Sequence, residues 1–366
     1  MILFKKNGIS SLALILFFLS IPQPSFSQDM SNYELEQEIK AMKEKIENDG
    51  VLGMLSFSGA IAVEAGFENG YGDENTSDIT LATVELGVEA KVCDWAISNA
   101  VFLWEEDDTP QGEVDEGTIT LGNTEKTPFY LTAGKFVVPF GTYETNMISD
   151  PLTLEIGETP QSAMQLGLEH PSGLSGSVCI FNGDINEDGE DDKINCFGAN
   201  VGYGLEVGNI GLDIGAGWIN NIADSDGLGG WIDDSGFILK DYVGGCTGHV
   251  IVTFAPFMVI GEYVAAMDDI EFTNNPAQEA PRAYHIELGY TFELMGKEST
   301  VGVAYQGTDK CGGIFPETRL LASIGVGLGE NVGVALEYAH DEDYGEADGG
   351  TGDEAGIVTL QLALEF

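Results

Sequence analysis

The chain has 366 residues, enough for one large or two ordinary domains, and 43% of them are hydrophobic, which is too many for a disordered chain. Its 14 Lys and Arg stand against 61 Asp and Glu, a formal charge of −47. A field of that sign repels nucleic acid, so nucleic-acid binding is excluded as a function.

Residues 1–27 have the layout of a secretory signal. Lys5 and Lys6 precede an apolar run, Leu12 to Leu19, and Ser25 and Ser27 offer small residues for cleavage. The run is too short to span a bilayer as a helix. Next, Leu35, Ile39, Met42 and Ile46 are spaced by four, three and four, a helical stripe. Residues 28–50 are therefore expected to form a short periplasmic coiled-coil-like segment, or a tether that becomes helical only on contact.

From Met54 onward the period changes to two. Leu55, Phe57, Ile61, Val63 and Phe67 share one face, and Ser56, Ser58, Ala60, Ala62 and Glu64 share the other. Later, Tyr284, Ile286, Leu288, Tyr290 and Phe292 oppose His285 and Glu287. Aliphatics between aromatic ends on one face, with small and charged residues on the other, describe a transmembrane barrel. The predicted strands are 54–67, 79–92, 95–105, 114–123, 128–137, 162–170, 173–182, 195–205, 209–219, 246–255, 257–268, 282–293, 297–307, 315–328, 331–341 and 354–366. These make an all-β, antiparallel transmembrane β-barrel of about 16 strands over residues 54–366. Long and short connections alternate, as outer loops and periplasmic turns do in an outer membrane. The last strand, "VTLQLALEF", ends on Phe366 and resembles the signal read by the outer-membrane assembly machinery.

One connection stands apart. "FVVPFGTYETNMISDPLTLEIGET", from Phe136 to Thr159, carries two prolines and is less acidic than the other long interruptions. Residues 138–161 are expected to fold inward as a constriction, with Tyr143, Glu144, Asn146, Asp150 and Glu155 on the solute path. Lys135, on the strand leading in, is the candidate positive group. The alternative is a loop that merely covers a rim.

Strand parity points Glu64, Glu85, Glu89, Lys91, Asp213, Glu262, His285, Glu287 and Glu337 into the lumen. A lumen so dominated by carboxylates concentrates cations. The four histidines form no H-E-x-x-H pattern, and no G-x-S-x-G elbow or Walker loop is present. An enzyme is not expected, and no cofactor.

The loop "DINEDGEDD" sets Asp184, Asn186 and Asp188 at the first three ligand positions of a calcium loop, with Asp192 as a later one. Asn195 stands where a bidentate carboxylate belongs, so the candidate Ca2+ site is incomplete; a solvated acidic turn is the alternative. The same loop is flanked by Cys179 and Cys196, which could bridge its base or serve as small apolar residues on strands. The acidic outer loops suggest divalent bridging to lipopolysaccharide and outer-membrane lipid.

The stretches "SDITLATVELGVEAKVCDW", "WEEDDTP", "VDEGTITLGNTEKTPFYLTAGKFVVPFGTYETNMISDPLTLEIGET" and "VCIFNGDINEDGEDDKI" resemble the LbtU family of siderophore porins, most strongly between Asp78 and Asp192. The segment before the barrel is also similar, and "GKFVVPFG" resembles a wider group of trimeric porins. The resemblance implies an outer-membrane porin that passes a ferric siderophore or similar small solute to the periplasm, with no plug domain. A homotrimer is expected by analogy to the fold class. The other readings are a general cation-preferring diffusion porin and, from another class, an adhesin displaying its acidic loops on a barrel.

Overall fold

The computed structural model describes residues 52–73, 75–106, 112–189, 193–276 and 278–366. The expected signal (1–27), the helical segment (28–50) and Asp192 lie outside the described residues.

The wall begins with β1 (Leu55–Asn69), β2 (Asn75–Cys93), β3 (Ala96–Trp104), β4 (Glu113–Gly122) and β5 (Phe129–Val137). A connection with the short helix α1 (Leu152–Gly157) leads to β6 (Pro160–Glu169), β7 (Leu174–Asn182), β8 (Ile194–Val207) and β9 (Ile210–Ile219). A second connection, with helix α2 (Asp226–Ser235), leads to β10 (Gly245–Phe254) and β11 (Phe257–Ala266). A two-stranded ribbon, β12 (Ile270–Glu271) and β13 (Gln278–Glu279), lies in the next connection. The wall resumes with β14 (Arg282–Leu294), β15 (Lys297–Asp309), β16 (Thr318–Gly327), β17 (Val332–Glu342) and β18 (Glu354–Glu365). Apart from the ribbon, all strands join one closed antiparallel barrel, sixteen in number among the described residues.

Closure follows from the alternation. β18 pairs with β1 so that Leu362 faces Val63 and Val358 faces Phe67, and the Phe366 amide donates to the Gly59 carbonyl at 3.0 Å. With no free edge, the wall strands are paired on both sides, as backbone in a hydrocarbon layer requires. On β14 the two faces separate cleanly: Ile286 is 56% exposed and Leu288 45%, whereas His285 is 0% and Glu287 1% exposed. The exposed row is the lipid-facing one.

The expected strand positions match closely. The larger departure is β2, which starts at Asn75, because β1 and β2 stay paired up to Asn69 opposite Asn75. Long connections leave one end of the barrel and short turns join the other, which sets the outer side.

The barrel is not hollow throughout. Val138, Phe140, Leu152 and Ile156 of the β5–β6 connection meet Ile222, Leu228, Ile232 and Leu239 of the β9–β10 connection. Phe272 from beyond β12 joins them, and wall residues Phe136, Phe181, Ile219 and Val264 complete one apolar core. Trp231 meets Phe237 and Phe272 edge-on at centroid separations of 5.2 and 5.8 Å, and Phe237 and Phe272 are tilted against each other at 4.8 Å. Burying each such aliphatic side chain stabilises by about 2 kcal/mol, enough in sum to hold the connections inside the mouth.

Cys179 and Cys196 do not form a disulfide; both are free thiols. The register sets Cys179 opposite Gly198 and Cys196 opposite Phe181, so the sulfurs are not direct partners. The Cys196 thiol donates instead to Asp224 Oδ2 at 3.3 Å.

Candidate channel constriction

The β5–β6 connection leaves the wall at Val138, whose amide donates to the Thr159 carbonyl at 2.9 Å and so ties its two ends together. Between them the chain crosses the barrel interior. Its path is fixed by three carboxylates on the facing wall.

Glu262 of β11 accepts from the Thr142 amide at 2.8 Å, the Tyr143 amide at 3.1 Å and the Thr153 hydroxyl at 2.9 Å. Glu287 of β14 accepts from the Thr145 hydroxyl at 2.7 Å and the Asn146 amide at 2.9 Å, and also from the Asn146 side chain. Glu337 of β17 accepts from the Ile148 amide at 2.6 Å and the Ser149 amide at 3.1 Å. Gln306 of β15 takes the Leu152 amide at 2.9 Å. Charge-assisted bonds of this type are about twice as strong as neutral ones. They offset the desolvation of three side chains that are only 5%, 1% and 1% exposed.

Two further contacts hold the crossing. The Thr142 hydroxyl lies 2.8 Å from His249 Nδ1, and His249 Nε2 lies 3.2 Å from Asp213. The Tyr143 backbone is left-handed, with φ 56°, and its ring packs where a Cβ on Gly141 or Gly157 would stand, 2.3 and 2.4 Å from ring and hydroxyl atoms.

This arrangement corrects several expectations. Glu262, Glu287 and Glu337 point inward, yet they are covered by the crossing chain and engaged with its amides, so they are not a free channel lining. Tyr143 packs against the apolar core, not toward an opening. Asn146 is held on Glu287. Glu144 is half-buried, near Asp213, Glu262 and Glu287, and burial raises its carboxyl above the ordinary value. Glu155 sits on α1 within electrostatic reach of Arg319.

Lys135 is on the wrong face. It pairs with Gly117 and Ser162 in the row that carries Leu131, Ala133, Met164 and Leu166, which is the outward row. Its ammonium donates to the Val114 carbonyl at 3.1 Å.

Among the described residues, one cavity lies to one side of the barrel interior, between the tip of the crossing chain and the seam of the barrel. Its volume is about 550 Å³. Ile148, Ser149 and Asp150 form its loop side; Glu64, Thr83, Glu85, Gln361, Ala363 and Glu365 are on its wall side. Six carboxylates line it, from Glu64, Glu85, Glu105, Glu106, Asp150 and Glu365, and no Lys, Arg or His is among its lining residues. The Gln361 amide donates to Glu64 at 2.8 Å across the closing strand pair.

Other inward positions lie apart from this opening. Glu89 accepts from Ser56 at 3.4 Å, and Lys91 is exposed near the short-turn end. His285 is fully buried, 3.3 Å from Glu287. Sequence reasoning missed Thr142, His249 and Gln306, and the bidentate pair in which Arg319 donates to Asp341 at 2.9 and 2.8 Å. Only the strand register, which places Arg319 opposite Asp341, would have exposed that pair.

Three residues of the expected calcium loop are described, and each has its own surroundings. Asp184 accepts from the Gln161 amide at 2.7 Å, on the β6 side, and Asn186 accepts from the Tyr242 hydroxyl at 3.3 Å. Asp188 is exposed.

A closed sixteen-stranded antiparallel barrel with a long connection crossing its interior defines the fold of outer-membrane porins. In solved structures, the chain is similar to the anion-selective porin from Comamonas acidovorans. The TM-score is 0.61 at 10% identity, covering 85% of this chain and 99% of that one. It is also similar to OmpT of Vibrio cholerae in its trimer form, with TM-score 0.52 at 13% identity, covering 85% and 99%. In sequence it is 26% identical over 342 residues to a UPF0422 protein of Coxiella burnetii, covering 89% of this chain and 72% of that protein. No family model matches.

Proposed function

We propose that the protein is a passive diffusion channel of the outer membrane that prefers small cationic or neutral solutes. The observation that carries this reading is the opening itself, with six carboxylates and no basic side chain among its lining residues. A narrow, low-dielectric passage focuses the field of such groups, so cations are concentrated and anions repelled. The Comamonas porin is called anion-selective, so the charge preference proposed here is argued from this chain's own side chains and not from the shared fold.

The ferric-siderophore expectation rests on the sequence resemblance. The acidic opening narrows it to iron complexes without net negative charge. Growth on single ferric siderophores, with and without the gene, decides whether iron uptake is part of the role. A homotrimer is proposed on the same fold-level ground as the OmpT trimer form.

Planar-bilayer recording of the refolded protein tests the channel reading. Stepwise currents with a cation-selective reversal potential are expected. Absence of current would return the acidic loops to an adhesin role, and an anion-selective reversal potential would overturn the charge argument.

A further inference from the structure

A second group of ligating side chains stands on the outer face of the wall, away from the channel. His340 and Glu342 are two residues apart on β17 and so share a face. Glu342 is directly opposite Glu354 of β18. The face is the outward one, because it carries Leu336 and Tyr338, which are 46% and 49% exposed. The neighbouring residue Asp341 points the other way and is held by Arg319. The three residues lie at the outer end of these strands, just beyond the aromatic level marked by Tyr338.

One donor atom of each side chain lies within 4.8 Å of the others. His340 Nε2 is 3.7 Å from Glu354 Oε2, too long for a good hydrogen bond. It suits two ligands of one ion, since donors about 2.0–2.2 Å from a metal stand roughly 3–4 Å from each other. The Thr318 hydroxyl donates to Glu342 Oε2 at 3.2 Å, which orients that carboxylate. Partners of this kind fix the ligands of metal sites. An imidazole with two carboxylates favours a first-row transition ion over calcium or magnesium, which take oxygen donors alone.

We propose that His340, Glu342 and Glu354 bind a divalent transition-metal ion through one imidazole nitrogen and two carboxylate oxygens. The remaining coordination positions open away from the wall. The site bridges β17 and β18, so the ion cross-links the two strands that form the last hairpin.

Calorimetric titration of the full barrel, refolded in detergent, with Zn2+ in the presence of excess Ca2+ tests this. The calcium saturates the acidic loops, and one Zn2+ per chain is expected to bind above that background. His340→Ala and Glu354→Gln should each lower the affinity at least about tenfold, with a smaller loss for Thr318→Val. His170→Ala, at an exposed histidine in a short turn, should bind as the parent does. Heat-modified mobility in SDS gels shows which variants are folded; if His340→Ala is not, Glu354→Gln decides. Zinc binding that calcium abolishes, or folded ligand variants that bind like the parent, would overturn the site. None of these outcomes depends on whether the barrel conducts.

Discussion

Glu337 holds Ser149 twice: the Ser149 amide donates to its carboxylate at 3.1 Å and the Ser149 hydroxyl donates to the same oxygen. The second oxygen takes the Ile148 amide at 2.6 Å, so one wall carboxylate fixes the tip that borders the opening. Removing it leaves two amides without acceptors, at about 1–3 kcal/mol each. Glu337→Ala is expected to raise single-channel conductance and current noise, with Glu337→Gln intermediate because it keeps one acceptor oxygen. Unchanged single-channel traces for Glu337→Ala would mean that other contacts hold the tip.

The root of the crossing chain passes Gly217 of β9 so closely that an added Cβ would lie 2.1 Å from the Phe140 carbonyl oxygen. That neighbour is backbone and cannot swing aside. Gly217→Ala should destabilise the barrel by roughly 1–3 kcal/mol through overpacking. The temperature at which the folded band is lost in SDS gels reads the effect. Gly204→Ala, with nothing within 4 Å of the added carbon, is the matched control and should change little.

Glu158, near the end of the crossing chain, gives a pH signature. Burial raises its carboxyl from 4.5 to about 7, with repulsion from Asp150, Asp226, Asp115 and Glu155 adding to the shift. The folded protein then keeps a proton that the unfolded chain has released. The stabilising contribution is complete below pH 4.5 and is lost as the pH rises through about 7. Urea midpoints across that window should fall more steeply for the parent than for Glu158→Gln. Parallel curves would remove Glu158 as the source.

Charge reversal in the opening should change selectivity without touching the fold. Glu85 and Asp150 border the cavity from wall and loop. Glu85→Lys with Asp150→Asn is expected to move the reversal potential in a salt gradient toward anions, with the difference from the parent shrinking at high ionic strength. A double variant that stays as cation-selective as the parent would locate the filter elsewhere.

The wall was legible in the sequence because alternation is a local property. His285 and Glu287 against Ile286 and Leu288 already separate the two faces of β14 within a few residues. What an inward residue meets is not local. Glu287 is covered by Thr145 and Asn146 from 142 and 141 positions away, and no pattern around either partner announces the other. The same limit explains Lys135. Its parity with Leu131 and Ala133 was readable, but its scarcity as a cation drew it toward the channel, while its ammonium reaches the Val114 carbonyl from the outward row. The prolines and low acidity of the 138–159 connection set it apart, yet they could not tell that Asp150 borders the cavity while Tyr143 is packed in the core.

The opening lies at the seam. Glu64 of β1 and Gln361 of β18 face each other across the closing strand pair and both border the cavity. The crossing chain and its apolar core occupy interior space elsewhere, and the cavity takes part of its wall from the first and last strands, flanked by β2, β3, β16 and β17. Sealing the cylinder and completing the wall of this cavity are one event.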